Sequence, residues 1–382
     1  MDIWCDNLAD MATNVHTGLI LVTGVDKPGI AETLFTGLAP FSVEIIDIEQ
    51  IVIRNRFILT VLIKLDPAHA KAIESDLTDS ANKNNIDIAV DFTEIQHEEK
   101  FSAVEAKRIL VFSEKLHPKA IAKVVENING NVLRINRLSN YPVTIVELLF
   151  TGVFSKPSSD TEVDIIELPY SKNLTARKLI VLDVDSTLIE QEVIDLLAAE
   201  AGVGEEVSRI TESAMRGDID FVESLQKRVA LLQGLPETAI AKVHSAITLS
   251  PGAKTLIDAL HESGHAVGIV SGGFSSIVKQ LASELGINHF RANNLEIVDG
   301  KLTGKLLGEI IDRAAKAQAL KDFAEKENIP LNATVAIGDG ANDLDMLEIS
   351  GLGVAYRAKP AVAAAADFSL NTKYLDSLLY VL

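Results

Sequence analysis

The chain has 382 residues, a formal net charge of −19, 47% hydrophobic residues and 23% charged ones. That length suits two or three domains with sizeable cores, and the negative charge argues against nucleic acid and anionic membranes, which reward basic surfaces. No apolar run approaches the ~20 residues of a membrane helix, and the single cysteine, Cys5, excludes an intrachain disulfide and suits a reducing cytoplasm.

Residues 1–16 have neither the basic start nor the apolar core of a secretory signal and read as a leader. A first unit follows over 17–97. TGLILVTGV (17–25) reads as a strand, and residues 28–39 suit a helix with Pro28 near its first turn. VEIIDIEQIVI (43–53) and FILTVLIKL (57–65) are rich in β-formers and are joined by polar Arg54, Asn55 and Arg56. A helix is expected over about 67–83 and a strand over 86–92, giving βαββαβ. A degenerate second copy spans 106–172: strand 107–113, helix 117–128, strands 131–138 and 143–150, and a last strand at 163–169. Its second helix has shrunk to VFSKPSSDTE, which reads as a loop. With DKPGI at 26–30, the first copy resembles the ACT domains, α+β ferredoxin-like regulatory modules that commonly bind amino acids; the second has LHPKA in that place. The resemblance implies edge pairing between two chains, hence a homodimer. It also implies an amino-acid effector near the Asp26–Ile30 turn, with L-serine the expectation.

From residue 177 to 382 apolar strands alternate with helical patterns, at 178–184, 266–271 and 333–338. This predicts an α/β fold, a Rossmann-like parallel sheet with helices on both faces. About 196–248 form an inserted helical cap, in which Val222, Leu225, Val229 and Leu232 make one apolar face. This half is expected to carry its own core, so that a chain starting near Leu174 keeps its chemistry.

The first of these strands, LIVLDVDSTL (179–188), runs into Asp183 and Asp185. Ligands in open parallel sheets bind beyond the carboxyl ends of the strands. Two carboxylates crowded there repel unless a cation or a shared proton compensates. VSGG (270–273) brings Ser271 and glycine amides to a second strand end, where they suit phosphate oxygens. IGDGAND (337–343) brings Asp339, Asn342 and Asp343 to a third, and Lys316 precedes that strand. Acidic groups from different strands favour a hard cation such as Mg²⁺, and lysine, serine and amides beside them suit a phosphoryl group.

In this order DVDST, SGG, the lysine and GDGAND resemble the four motifs of the haloacid dehalogenase superfamily of phosphohydrolases. The resemblance implies Mg²⁺ and an aspartyl-phosphate mechanism, with Asp183 as nucleophile and Asp185 as general acid/base. It further implies metal ligation by Asp183, the Asp185 carbonyl and Asp339, and phosphoryl binding by Ser271 and Lys316. Asp343 would support the metal loop from behind.

DVDSTLIEQEVID, AMRGDIDFVESLQKRVALLQGLP and VSGGFSSIV resemble the branch of that superfamily whose substrate is O-phospho-L-serine. By that resemblance Glu192 would bind the substrate ammonium and Arg228 its carboxylate. Met215 and Phe221 would line the cap, and Gly272 and Asn342 would touch the ligand. Two other readings stand beside this one: a phosphatase or phosphotransferase for another small phosphate monoester, and an amino-acid sensor on an inactive phosphatase fold. The intact set Asp183, Asp185, Lys316 and Asp339 argues against the sensor.

Overall fold

The computed structural model describes residues 15–95, 106–157, 163–169 and 176–382, apart from Gly217 and the side chains of Val15, Glu94, Ile95 and Met215. The leader expected at 1–16 lies almost wholly outside them. The chain divides into two compact units, Met1–Phe101 and Ser102–Leu382.

The first unit runs β1 (Val15–Val25), α1 (Ile30–Leu38), β2 (Glu44–Ile53), β3 (Arg56–Lys64), α2 (Ala70–Asn84) and β4 (Asp87–Ile95). Its antiparallel sheet has the order β2-β3-β1-β4. Alternation along β1 and β3 puts Ile20, Val22, Leu59, Val61 and Ile63 on the helix side, where they meet Leu34, Ile73 and Leu77. Gly29, at φ +92, opens α1 in a conformation that L side chains avoid.

The second unit opens with the same pattern: β5 (Lys107–Ser113), α3 (Pro118–Glu126), β6 (Ile128–Asn129), β7 (Val132–Asn140), β8 (Thr144–Phe150), β9 (Val153–Phe154) and β10 (Asp164–Pro169). The sheet order β10-β5-β8-β7 repeats that of the first unit. Where a second helix would follow β8, residues 151–157 carry only the short β9, which pairs with β6. β5 is buried on both faces. Ile109 and Val111 pack towards α3, whereas Leu110 and Phe112 join Val143, Ile145 and Ile166 in one core with Tyr356, Phe368 and Leu370. The Phe112 and Phe368 rings meet at a tilt, their centroids 5.5 Å apart. Buried Asp164 accepts from the Asn371 amide (2.7 Å), Asn371 Nδ2 (2.6 Å) and the Thr372 amide (3.2 Å). The expectation of a self-contained core beginning at about 177 therefore gives way to a core shared across 106–382.

The remaining chain alternates as the spacing predicts. β11 (Leu179–Leu182) leads into the cap helices α4 (Val193–Ala201), α5 (Gly204–Met215), α6 (Phe221–Ala230) and α7 (Thr238–Ala246), then α8 (Ala253–Glu262). β12 (Ala266–Phe274), α9 (Ser275–Glu284), β13 (His289–Val298), β14 (Lys301–Leu307), α10 (Arg313–Glu327) and β15 (Thr334–Gly338) follow. The chain closes with α11 (Leu344–Ile349), β16 (Leu352–Tyr356), α12 (Pro360–Ala365) and β17 (Phe368–Leu370). The sheet order is β14-β13-β12-β11-β15-β16-β17, parallel except for the β13–β14 hairpin. β11 is central and all four of its residues are buried, which is why it reads as an unbroken apolar run. Leu225, Val229 and Leu232 of the cap are buried as its periodicity predicts, while Val222 is half-buried. No helix among the described residues is long and apolar enough to cross a membrane.

Candidate active site

The site lies at the carboxyl ends of β11, β12 and β15. The Asp183 amide still pairs, donating to the Ile337 carbonyl (2.8 Å). The chain then leaves the sheet in a wide turn over 184–188, closed by the Ile189 amide on the Val184 carbonyl (3.0 Å). Within it Asp185 is extended and Ser186 adopts φ +56. This turn brings Asp183 and Asp185 to one side of the sheet.

Lys316 reaches the same place from the first turn of α10, a helix capped by Asp312 on the Ala315 amide (2.9 Å). Its ammonium is fully buried and lies 2.8 Å from Asp183 Oδ1 and 2.6 Å from Asp343 Oδ1. Asp343 also accepts from the Gly340 amide (3.0 Å) and so shapes the loop carrying Asp339. A side chain at Gly338 would strike Asp343, its Cβ falling 2.4 Å from Asp343 Cγ. Thr187 donates to Asp339 (3.0 Å). Asp185 accepts from the Val193 amide on one oxygen (2.7 Å) and from Ser271 Oγ on the other (2.8 Å). Ser271 in turn accepts from the Gly273 amide (2.7 Å). Asn293 braces this loop, donating to the Gly272 carbonyl and accepting from the Ile311 amide, both at 2.8 Å.

Asp183, Asp339 and Asp343 hold carboxylate oxygens within 4.8 Å of one another. Three carboxylates share one ammonium, which leaves two negative charges uncompensated when all are ionised. The consequence is visible in their proton affinities. Burial, then Asp343, push the Asp183 carboxyl well above its ordinary range while Lys316 pulls it down. Asp339 is pushed up to about 6, first by burial and then by Asp343. Burial raises Asp185 against the bonds from Val193 and Ser271. Burial opposes the charge on Lys316, yet Asp183 and Asp343 more than offset it and hold that group protonated. An all-oxygen cluster short of positive charge fits a hard divalent cation.

That fit has a pH signature. A carboxyl whose folded pKa lies above its unfolded value binds more protons when folded, so its contribution to stability falls as pH rises through that window. For Asp339 the window runs from 3.8 to about 6. In chelator Asp183 and Asp339 therefore weaken the fold most at neutral pH. Adding MgCl₂ should raise the melting temperature by about 2–5 °C more near pH 7.5 than near pH 5. Scanning fluorimetry checks it: an equal increment at both pH values would show that these carboxylates are already ionised at pH 5, and no increment at either would show that the cluster takes no cation.

Glu192 caps α4 but makes no capping bond; its carboxylate accepts from Ser186 Oγ at 2.7 Å. Loss of water, then Asp185, push its carboxyl up to about 7. Because the residue is exposed overall, solvent screens part of that effect. Arg228, half-buried on α6, is drawn below its ordinary pKa by burial, against the pull of Glu192, Asp195 and Asp185. It therefore faces the same acidic ring. Phe221 comes from the first turn of α6 to within 3.0 Å of where a Cβ at Gly272 would lie, so the glycine admits the cap ring. Asn342 Oδ1 lies over Gly340. Met215 ends α5, and its side chain lies outside the described residues.

The structure thus brings together Asp183, Asp185, Ser271, Lys316, Asp339 and Asp343, with Glu192, Arg228, Phe221, Gly272 and Asn342 around them. The sequence reading assigned no role to Ser186, Thr187, Asp195 or Asn293. The two hydroxyls sit inside the DVDST motif, which was the available signal. Asn293, a buried polar residue in a strand, gave none.

Residues 180–348 match the family of haloacid dehalogenase-like hydrolases, and residues 16–91 match the ACT domain. A phosphoserine phosphatase of Streptomyces coelicolor is 42% identical over 98% of this chain and 94% of its own. That of Streptococcus thermophilus is 50% identical over 53% of this chain and 95% of its own. A solved phospho-aspartyl intermediate analogue of phosphoserine phosphatase is 43% identical with a TM-score of 0.52, covering 54% of this chain and 99% of that one.

Proposed function

The chain belongs to the phosphoserine phosphatase family of haloacid dehalogenase-like hydrolases, and we propose that it hydrolyses O-phospho-L-serine to L-serine and phosphate in serine biosynthesis. The observation that carries this reading is the buried Lys316 clamped between Asp183 and Asp343 beside an Asp185 held at both oxygens.

Asp183 attacks phosphorus, the P–O bond to the serine oxygen breaks, and an aspartyl phosphate forms. Asp185 acts as the general acid: once protonated, it gives its proton to the departing alkoxide. It then takes a proton from water as that water attacks phosphorus, releasing phosphate and restoring Asp183. Ser271 has one proton, which it donates to Asp185 here. Once Asp185 is protonated and becomes the donor, the serine hydroxyl can turn to a phosphoryl oxygen. Lys316 offsets repulsion between two anions, and amides near Gly272 with the Asn342 amide group complete the phosphoryl cradle. Asp183, Asp339 and the Asp185 carbonyl would hold Mg²⁺, with Asp343 behind them; when bound, the ion supplies charge neutralisation at the phosphoryl group.

Glu192 takes the substrate ammonium and Arg228 its carboxylate, under a cap whose Phe221 reaches Gly272. Phosphate release from O-phospho-L-serine, with and without Mg²⁺, tests the function. Arg228→Ala should lower kcat/KM for O-phospho-L-serine about a hundredfold more than for O-phosphoethanolamine, which lacks the carboxylate. Equal losses on both would make Arg228 a cap residue only.

The first unit supports a homodimer and an effector role. β2 lies at one edge of its sheet with Ile45, Ile48, Ile51 and Ile53 exposed, a surface that suits pairing with a second copy. L-Serine is the proposed effector, at the turn opened by Gly29. A single cysteine supports a cytoplasmic setting. Light scattering of the full chain with and without L-serine tests the assembly.

A further inference from the structure

Ser186 is held in an unusual way. Among the described non-glycine residues with positive φ, Asn85 and Asn328 cap helices, Arg54 and Asp299 lie in the β2–β3 and β13–β14 turns and Arg357 follows β16, whereas Ser186 lies inside the turn between the two aspartates and the cap. At φ +56 it adopts a conformation that a serine resists unless its surroundings impose it. Two contacts follow from that conformation. Its amide donates to the Gln191 carbonyl (3.3 Å), and its hydroxyl donates to Glu192 Oε1 (2.7 Å).

Glu192 is otherwise poorly fixed. It stands at the N-cap of α4, where a shorter side chain would bond the helix amides, and it does not. The bond from Ser186 is the one hydrogen bond given to its carboxylate among the described residues. The segment carrying it is the passage from sheet to cap. Glu190 donates from its amide to the Thr248 carbonyl, and the Thr248 amide donates to Gln191 Oε1, both at 2.9 Å. Ser186 thus ties the catalytic turn to the start of the cap at the residue that meets the substrate's amine.

We propose that Ser186 is a positioning residue for amine recognition: its hydroxyl occupies Glu192 Oε1 and leaves Oε2 for the substrate ammonium. This rests on the reading of Glu192 as the ammonium partner. The competing account is that the hydroxyl only serves the turn, in which case its loss would harm all substrates alike through Asp185.

The test uses the full chain and two esters, O-phospho-L-serine and 3-phosphooxypropanoate, which has hydrogen in place of the amine. Ser186→Ala and Ser186→Gly both remove the hydroxyl, and glycine accepts φ +56 without strain. Each should cut the preference for O-phospho-L-serine, as a ratio of kcat/KM values, about tenfold, mostly through KM. Ser186→Asn restores a donor and tolerates this backbone, so it should recover part of the preference. In Glu192→Gln the preference should collapse, and adding Ser186→Ala to it should cause no further loss. If Glu192→Gln keeps the preference, the ammonium reading fails and takes this proposal with it. If Glu192→Gln loses the preference while Ser186→Ala and Ser186→Gly retain it, the role of Ser186 alone is overturned. Equal losses on both esters in Ala and Gly variants overturn it too.

Discussion

Asp183→Asn should remove turnover of O-phospho-L-serine by about four to six orders of magnitude while the protein keeps its fold. The amide nitrogen and oxygen have the shape of the carboxylate but not its nucleophilicity. Stability should not follow activity. Asp183 is 4% exposed and sits among Asp343, Asp339 and Asp185, whose charges all oppose its ionisation. Neutralising it removes repulsion as well as the ion pair to Lys316, which keeps Asp343 as its partner at 2.6 Å. In chelator the melting temperature of Asp183→Asn should therefore equal or exceed that of the parent. Phosphate release and scanning fluorimetry measure the two properties, with mass spectrometry to exclude hydrolysis of the amide back to Asp. Turnover within tenfold of the parent would remove Asp183 as the nucleophile.

The second large effect is on folding. A chain beginning at Leu174 should be much less stable than one beginning at Ser102, although both keep every motif residue. The shorter chain uncovers the face on which Phe112 packs against Phe368, and it leaves the Asn371 and Thr372 amides without Asp164. Exposing Phe368 and Leu370 alone costs about 3–6 kcal/mol, a large part of a typical domain's net stability. A fall in melting temperature of about ten degrees or more is expected, or insoluble protein. The chain from Ser102 loses none of these contacts, since the first unit has its own core around Leu34, Leu59 and Ile73. Equal melting temperatures for the two chains would show that the second α+β sheet is a dispensable cover. Asp164→Ala in the full chain isolates the polar part of the contact: its carboxyl is raised by burial and depends on its three donors.

What the sequence determined by itself was local or periodic. β11 was legible because four apolar residues ran straight into two aspartates, and β1 and β3 because β-formers cluster there, although apolar Leu19 and Leu21 beside Ile20 and Val22 left the inner face to the tertiary structure. The motif order also named Asp183, Ser271, Lys316 and Asp339 as residues that should converge. Tertiary structure alone decided how they converge. Lys316 reaches Asp183 and Asp343 because β11 and β15 are neighbours in register, Leu182 beside Ile337, and no periodicity records that pairing. The same holds for the β13–β14 hairpin and for β16 and β17. It also holds for β5, whose IleLeuValPhe run shows burial on both faces but not that one face covers Phe368, more than 250 residues later. Ser186 is the sharpest case. Nothing in a serine's identity announces φ +56, which is imposed by the turn that must carry the chain from a buried strand to the cap within a few residues.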